Sequence, residues 1–198
     1  MTYRRLTRAE LPVDTEAMAR FLIGKIIVRE TPHSVISGRI VETEASFAND
    51  AAGPAFLGVT PRNRALLLAP GHAHVYLNHG VSWMLNVSSE AAGVGAGVLI
   101  RALAPLDGVE IMRQNRGETA LQRMTRGPGK LTEALRIEGW ADGLDLSAEG
   151  PLWLGSDDQE PGAIGQGSPI VRPGATVRGR RFYRQGDPFV SGPQSLSP

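Results

Sequence analysis

Apolar and polar positions along the chain follow two periods, and their order predicts a mixed α and β domain. Asp14-Thr15-Glu16 opens a helix that Gly24 closes, with Met18, Phe21 and Leu22 on its apolar side. Lys25 to Glu30 and Ile36 to Ser46 read as strands joined by a Thr31-Pro32-His33-Ser34 turn. His74 to Asn78 and Val81 to Val87 flank Asn78-His79-Gly80, a hairpin signal because Asn and Gly tolerate tight-turn dihedrals. Gly97 to Ala104 predicts another strand, Asp107 to Arg116 and Lys130 to Ile137 two helices, and Arg180 to Arg184 a last strand. Asn49 to Pro61 reads as an irregular loop, Gly139 to Gly167 as surface loops with a short strand near Leu152 to Leu154, and Ser191 to Pro198 as a frayed tail.

One strand breaks the pattern. Arg39-Ile40-Val41-Glu42-Thr43-Glu44-Ala45 carries two carboxylates inside an otherwise apolar run. Strand alternation puts Glu42 and Glu44 on the face of Ile40, roughly 7 Å apart along the strand. Like charges there contribute nothing to folding. Either that face meets solvent, or one carboxylate is a general base or acid tuned by the other.

Composition narrows the classes. The 198 residues suit one domain, spanning residues 1–198, and no linker or internal repeat divides them. Twenty-four glycines and 14 prolines predict many turns. With no cysteine, disulfides, thiolate metal sites and a cysteine nucleophile are excluded. No apolar run is long enough to span a bilayer and no signal core opens the chain, so a cytoplasmic protein without a membrane partner is expected. Net charge is only +1, yet Ile137 to Val171 holds no Lys or Arg, while Arg113, Arg116, Arg123, Arg126 and Lys130 cluster, as do Arg172, Arg178, Arg180, Arg181 and Arg184. Arginine suits bidentate phosphate contact, so a basic face for nucleic acid is suggested; GC-rich coding DNA is the plain alternative.

Other residues carry two readings each. His72 and His74 would share a strand face with His79 near, but no third ligand has standard spacing, so no metal site is assigned. Gly127-Pro128-Gly129-Lys130 before a helix could present N–H groups and a lysine to phosphate, or simply start a helix; Met124 and Leu131 exclude a nucleotide-binding P-loop. Tyr76, out of phase with Val75 and Leu77, either stacks on a base or packs in a core. Arg101 within an apolar strand needs a carboxylate, for which Glu42 or Glu44 is the natural partner, and Asn86 must satisfy a buried amide.

Eight collinear segments together resemble the alkyladenine (N-methylpurine, 3-methyladenine type II) family of DNA glycosylases. They are 19–25, 38–45, Thr60-Pro61-Arg62-Asn63, 70–77, 85–87, 98–103, 127–131 and Arg181-Phe182-Tyr183. The resemblance implies a single α+β domain on a curved antiparallel sheet, or partial barrel, flanked by helices, with a β-hairpin that enters DNA. It implies a monomer acting on double-stranded DNA that contains damaged purines, hydrolysing the N-glycosidic bond without metal or cofactor and leaving an abasic site. Glu44 then corresponds to the general base, Arg101 to a residue that also holds the water, Tyr76 to a stacking wall and Asn86 to a residue beneath the flipped base. His79 falls at the wedge position, where the family usually has tyrosine. Arg62, Asn63, Gly129 and Lys130 correspond to backbone-contacting positions.

Departures from the family pattern concern the pocket. After the Glu44-Ala45 pair the family usually has a stacking tyrosine; here Ser46 stands there, Phe47 would have to slide into that role, and Ala45, Ser46 and Phe47 are the base-binding candidates of this stretch. A base-reading histidine would fall near Pro54, where there is none. The expectation is a looser pocket favouring cationic 3-methyladenine and 7-methylguanine over hypoxanthine or ethenoadenine. A damage-binding protein without turnover, or an RNA- or DNA-binding domain of the same fold, are the alternative readings.

Overall fold

The computed structural model describes residues 3–48, 58–118, 120–168 and 180–191. Among these residues, nine antiparallel strands form one curved sheet, a half-barrel: β1 (Arg4–Arg5), β2 (Ile26–Thr31), β3 (Ser34–Ser46), β4 (Ala73–Asn78), β5 (Ser82–Ser88), β6 (Gly97–Pro105), β7 (Leu152–Ser156), β8 (Ile164–Gly167) and β9 (Arg180–Arg184). The helices are α1 (Thr15–Leu22), α2 (Val109–Arg116), α3 (Leu121–Met124) and α4 (Pro128–Leu135). The main path across the sheet runs β1-β7-β2-β3-β6-β5-β4. The thirteen-residue β3 is its spine: β6 lies along one side, while β2 pairs with its first half and β9 with its second half on the other. Among the described residues no helix is long and apolar enough to cross a membrane.

The helices pack on one face. Met18, Ala19 and Leu22 of α1 and Leu131, Ala134 and Leu135 of α4 join Ile40, Ala45, Val75, Leu85, Val87, Val98 and Ile100 in the main core. Asp14 caps α1 by accepting from the Ala17 N–H at 2.7 Å. Two helices start away from where the pattern puts them. Gly108, at φ +71, delays α2 to Val109, because a residue with Cβ there would meet the Val35 carbonyl oxygen at 2.7 Å. Pro128 begins α4 two residues early, since proline fits a first helical turn, and Arg136 in the left-handed region ends it.

Short elements escaped the sequence pattern. β1 and α3 are too brief to show a period, and β8 lies inside the acidic stretch expected to be loop. Gly165 in β8 has a structural reason: a Cβ there would meet the Tyr183 ring at 2.6 Å. Ser191 is no frayed end. It is buried, because its backbone and hydroxyl bond a buried carboxylate described below.

The spine also overturns the expected facing of Ile40. Strands β3 and β6 lose register between Ile40 and Glu42 and again between Glu42 and Thr43. Ile40 and Thr43 both face the helices, the latter bonding the Ala19 carbonyl through its hydroxyl at 2.9 Å. Val41 and Glu42 both turn away, Val41 packing with Ala102, Tyr183 and Val190. Glu42 and Glu44 therefore share the face opposite Ile40, because a local bulge reverses the alternation.

The Asp14 cap gives a direct check on the α1 anchor. Asp14→Ala is expected to lower unfolding free energy by about 1 kcal/mol. A urea-denaturation midpoint equal to the native one would contradict it.

Candidate active site

The site lies on the face away from the α-helices and is built from one cross-strand row. Glu44 of β3 pairs with Leu99 of β6, Leu99 with Asn86 of β5, and Asn86 with His74 of β4. Directly opposed residues share a face. Two residues along their strands, Arg101 and Tyr76 fall on the same face as their row neighbours Leu99 and His74. Strand pairing alone thus gathers Glu44, Arg101, Asn86, His74 and Tyr76 from residues up to 57 positions apart.

Charge organises one end of the row. Arg101 donates Nη1 to Glu44 Oε2 at 2.8 Å and Nε to Glu42 Oε1 at 3.1 Å. Arg181, fully buried, donates Nε to the same Glu42 oxygen at 2.6 Å. Glu42 is wholly buried, whereas the Glu44 side chain retains 17% exposure, so of the two carboxylates Glu44 is the one solvent reaches. Both Glu42 and Glu44 partner Arg101, where the sequence named one or the other.

Aromatic rings organise the other end. The His74 and Tyr76 rings stack at 5.2 Å with an interplanar angle of 19°. His74 is buried, and its Nδ1 lies 3.3 Å from Asp142, which also accepts the Val75 N–H at 2.8 Å. Burial holds the imidazole below its ordinary 6.5, and the Asp142 carboxylate works partly against that. Burial raises the Tyr76 phenol, and the nearby charge of Glu44 raises it further. Asn86, buried, donates to the His74 carbonyl at 3.3 Å. His72 does not join His74: its Nδ1 turns to the Ala69 carbonyl at 2.8 Å.

The remaining expected residues flank this face. Ser46 continues the alternation of Glu44 and pairs with Gly97, while Ala45 is buried in the main core and Phe47 packs against it. The ring of Phe47 therefore sides with the core rather than with Glu44. The position near Pro54 lies outside the described residues. Leu66 settles where Gly97 leaves room, since a Cβ there would come within 2.6 Å of its methyl. That places segment 58–68 beside the row. Within it Asn63 is buried and its amide serves the loop, accepting from the Thr60 N–H at 2.7 Å and donating to the Gly58 carbonyl at 2.8 Å. Arg62 is exposed and, with Tyr76, His74 and Asp142, lines a cavity of about 590 Å³.

The hairpin stands clear of the body. His79 (φ 51) and Gly80 (φ 70) make its turn, closed by Val81 N–H to the Asn78 carbonyl at 3.0 Å. His79, Gly80, Leu77 and Val81 are all exposed, Val81 at 82%. Gly129 packs against the hairpin's base, where a Cβ would lie 2.8 Å from Ser82 Cβ, and Lys130 beside it is exposed. The expected basic cluster is largely engaged: Arg113 pairs with Glu110, Arg116 with Glu133 and Arg123 with Glu118, and Arg126 bonds the Val190 carbonyl. Positions 172 and 178 lie outside the described residues.

The sequence marks Arg181 only within a basic cluster and a family segment, and His74 only as one of a histidine pair to which no metal site is assigned; Asp142 and Ser191 carry no signal. Each acts through a partner more than sixty residues away. His74 offers a pH test. Its neutral form is favoured on folding, so its stabilising contribution is present above 6.5 and is lost as pH falls through 6.5 toward its lower folded value. His74→Phe keeps a ring against Tyr76. Between pH 7.5 and 5.5 the native denaturation midpoint is expected to fall further than that of the variant; equal falls would contradict the buried neutral imidazole.

Comparison with known proteins identifies the family. The family model for methylpurine-DNA glycosylase matches residues 9–188. A Mesorhizobium japonicum protein, provisionally named a 3-methyladenine DNA glycosylase, is 60% identical over 191 residues, covering 96% of this chain and 92% of its own. A Paraburkholderia phytofirmans protein with the same provisional name is 43% identical over 96% of this chain and 90% of its own. The mouse DNA-3-methyladenine glycosylase is 38% identical over 88% of this chain and 57% of its own. With a family match across most of its length and relatives of this identity, the chain belongs to the methylpurine-DNA glycosylase family.

Proposed function

We propose that this protein is a monofunctional DNA glycosylase that excises alkylated purines from duplex DNA. The observation that carries the reading is the partly exposed Glu44, bonded to Arg101, in one row with Asn86, His74 and Tyr76 beside an exposed hairpin. A purine inside a duplex is out of reach, so the nucleotide must be extruded at a cost of a few kcal/mol. The hairpin tip, with His79 flanked by Leu77 and Val81, supplies side chains to fill the gap. Arg62 and Lys130, exposed on either flank, suit phosphate contact, while Asn63 and Gly129 fix the loop and the helix start that present them. Tyr76 offers a face for the flipped base, and Asn86 a polar group beneath it. All of these residues come from one chain, so a monomer suffices.

The chemistry needs one water. Glu44 accepts its proton as the oxygen bonds to C1′ of the sugar. The N-glycosidic bond breaks and its electron pair leaves with the base. The carboxylate also stabilises the positive charge that develops on the sugar, and Arg101 keeps Glu44 and the water in place. An alkylated purine that is already cationic leaves neutral and needs no acid. A neutral base such as hypoxanthine leaves as an anion unless protonated, and the Tyr76 phenol, its pKa raised by burial and by Glu44, is a poor acid for that step. With Ser46 on the face of Glu44 and Phe47 against the core, stacking also rests more heavily on Tyr76. Both points support a preference for 3-methyladenine and 7-methylguanine over hypoxanthine or ethenoadenine.

The test is release of base from methylated duplex DNA, in excess chelator, by the native protein and by Glu44→Gln. Release by the native protein is expected to fall about 100-fold or more in the variant while lesion binding persists. Tight lesion binding with no native release would instead identify a damage sensor. Absence of both release and binding, or preference for RNA, would reject the assignment. Release of hypoxanthine as fast as that of 3-methyladenine would reject the substrate preference alone.

A further inference from the structure

Glu42 and the chain segment that clasps it remain without a role in that mechanism. Its carboxylate is wholly buried yet receives four donors: Arg101 Nε at 3.1 Å, Arg181 Nε at 2.6 Å, the Ser191 hydroxyl at 3.0 Å and the Ser191 backbone N–H. All four partners donate, a pattern that a carboxylate satisfies and a carboxylic acid does not. The clasp is reciprocal. Arg181 Nη2 donates to the Ser191 carbonyl at 2.8 Å, and Arg126 Nε to the Val190 carbonyl at 2.6 Å. Segment 189–191 is thereby drawn onto the face away from the α-helices, where Val190 packs with Val41, Ala102 and Tyr183.

Arg101 is the group this assembly orients. Its guanidinium is planar and rigid, so fixing Nε on Glu42 fixes where Nη1 points. Nη1 points to Glu44. We infer that Glu42 is a positioning residue for the proposed excision reaction, aiming Arg101 at Glu44, and that Arg181 and Ser191 hold Glu42 in place for that purpose. The inference rests on the glycosylase reading and assigns to the C-terminal part of the domain a share in building the site. Glu42 takes no proton from water and touches no substrate; with no exposure and both oxygens engaged, it acts through Arg101 alone.

A structural role and a positioning role differ in what they move. Removing a buried charge that compensates two guanidiniums destabilises the fold in either case. Only positioning alters the rate at unchanged lesion affinity, because a small misplacement near reacting atoms costs rate more than binding. Only positioning alters the pH profile as well. The charged or titratable groups placed against Glu44 include Arg101 from β6, Arg181 from β9, Tyr76 from β4 and Glu42 itself. Loss of the Glu42 charge leaves Arg101 and Arg181 less neutralised, which favours the charged form of a neighbouring carboxylate.

The experiment compares native protein, Glu42→Gln and the charge-balanced double variant Glu42→Gln with Arg181→Gln. Single-turnover base release is followed from pH 4.5 to 8, with affinity for an abasic-site duplex and thermal stability measured alongside. For Glu42→Gln the expectation is a rate about tenfold or more below native, with affinity nearly unchanged and the acid limb moved to lower pH. The double variant is expected to regain stability but not rate. Recovery of rate together with stability, or a folded Glu42→Gln with native rate and pH profile, would overturn the inference. If neither Gln variant folds, Ser191→Ala, which removes one of the four donors, decides: a several-fold rate loss at native affinity supports it, and a native rate overturns it. Native protein that releases no base would fail the glycosylase reading itself, which separates the two.

Discussion

A single guanidinium, that of Arg101, holds two carboxylates on one face of a strand. Without it, Glu42 and Glu44 would repel each other across the spine of the sheet. With it, and with Arg181 on the opposite side, two negative and two positive charges balance in a largely buried cluster. Such clusters cost desolvation, which only good geometry and complete hydrogen bonding offset. Glu42 reaches that condition with four donors, while the buried Arg181 Nη1 has no hydrogen-bond partner among the described residues. Glu44, held by Arg101 and left partly exposed, is the member of the cluster open to a reactant. The asymmetry between two identical side chains two residues apart is what turns an ion network into a candidate for general-base chemistry.

The sheet makes that asymmetry possible. A regular β3 would keep Ile40, Glu42 and Glu44 together on one face, and the first of these belongs to the main core. The register shifts around Glu42 separate them, sending Ile40 to the helices and both glutamates to the other side. On β6 the matching step places Arg101 and Ala102 together on that side, between core residues Ile100 and Leu103. Hydrophobic burial thus proceeds on one face while the other keeps polar groups without a helix over them. Segment 58–68 then flanks the row on one side, through Leu66 on Gly97, and segment 189–191 on the other, through Val190.

Long periodic elements were legible in the chain. Alternation marked β2 to β6 and β9, the Asp14 cap marked α1, and Asn78-His79-Gly80 marked the hairpin, because each is a local preference written in consecutive residues. The pairing of Arg101 with the Glu-Thr-Glu run was also legible, since a guanidinium in an apolar strand demands a carboxylate. The facing of Ile40 was not, because a bulge depends on how two strands meet and leaves no period in either. The roles of Arg181, Asp142 and Ser191 were not, for the same reason: each acquires its role from a partner distant in sequence. Phe47 misled in another way. Its ring suggested a wall of the site, but the core claims it.

The aromatic end of the row follows the same logic of sharing partners. Strand β4 is an edge strand, and its free N–H groups need cover. Asp142 covers one of them, that of Val75, and with the same oxygen meets the His74 ring. One carboxylate thereby ties turn 139–142 to the stack of His74 on Tyr76. A charged imidazole in that stack would put a positive charge one ring away from a cationic purine held on Tyr76, to the cost of binding. Burial disfavours that charge by lowering the His74 pKa, although a nearby Asp142 pulls the other way. Desolvation is the larger of the two, so the platform under the proposed base is neutral at neutral pH. The edge that had to be covered for folding is thus also the support that the proposed cationic substrate would require.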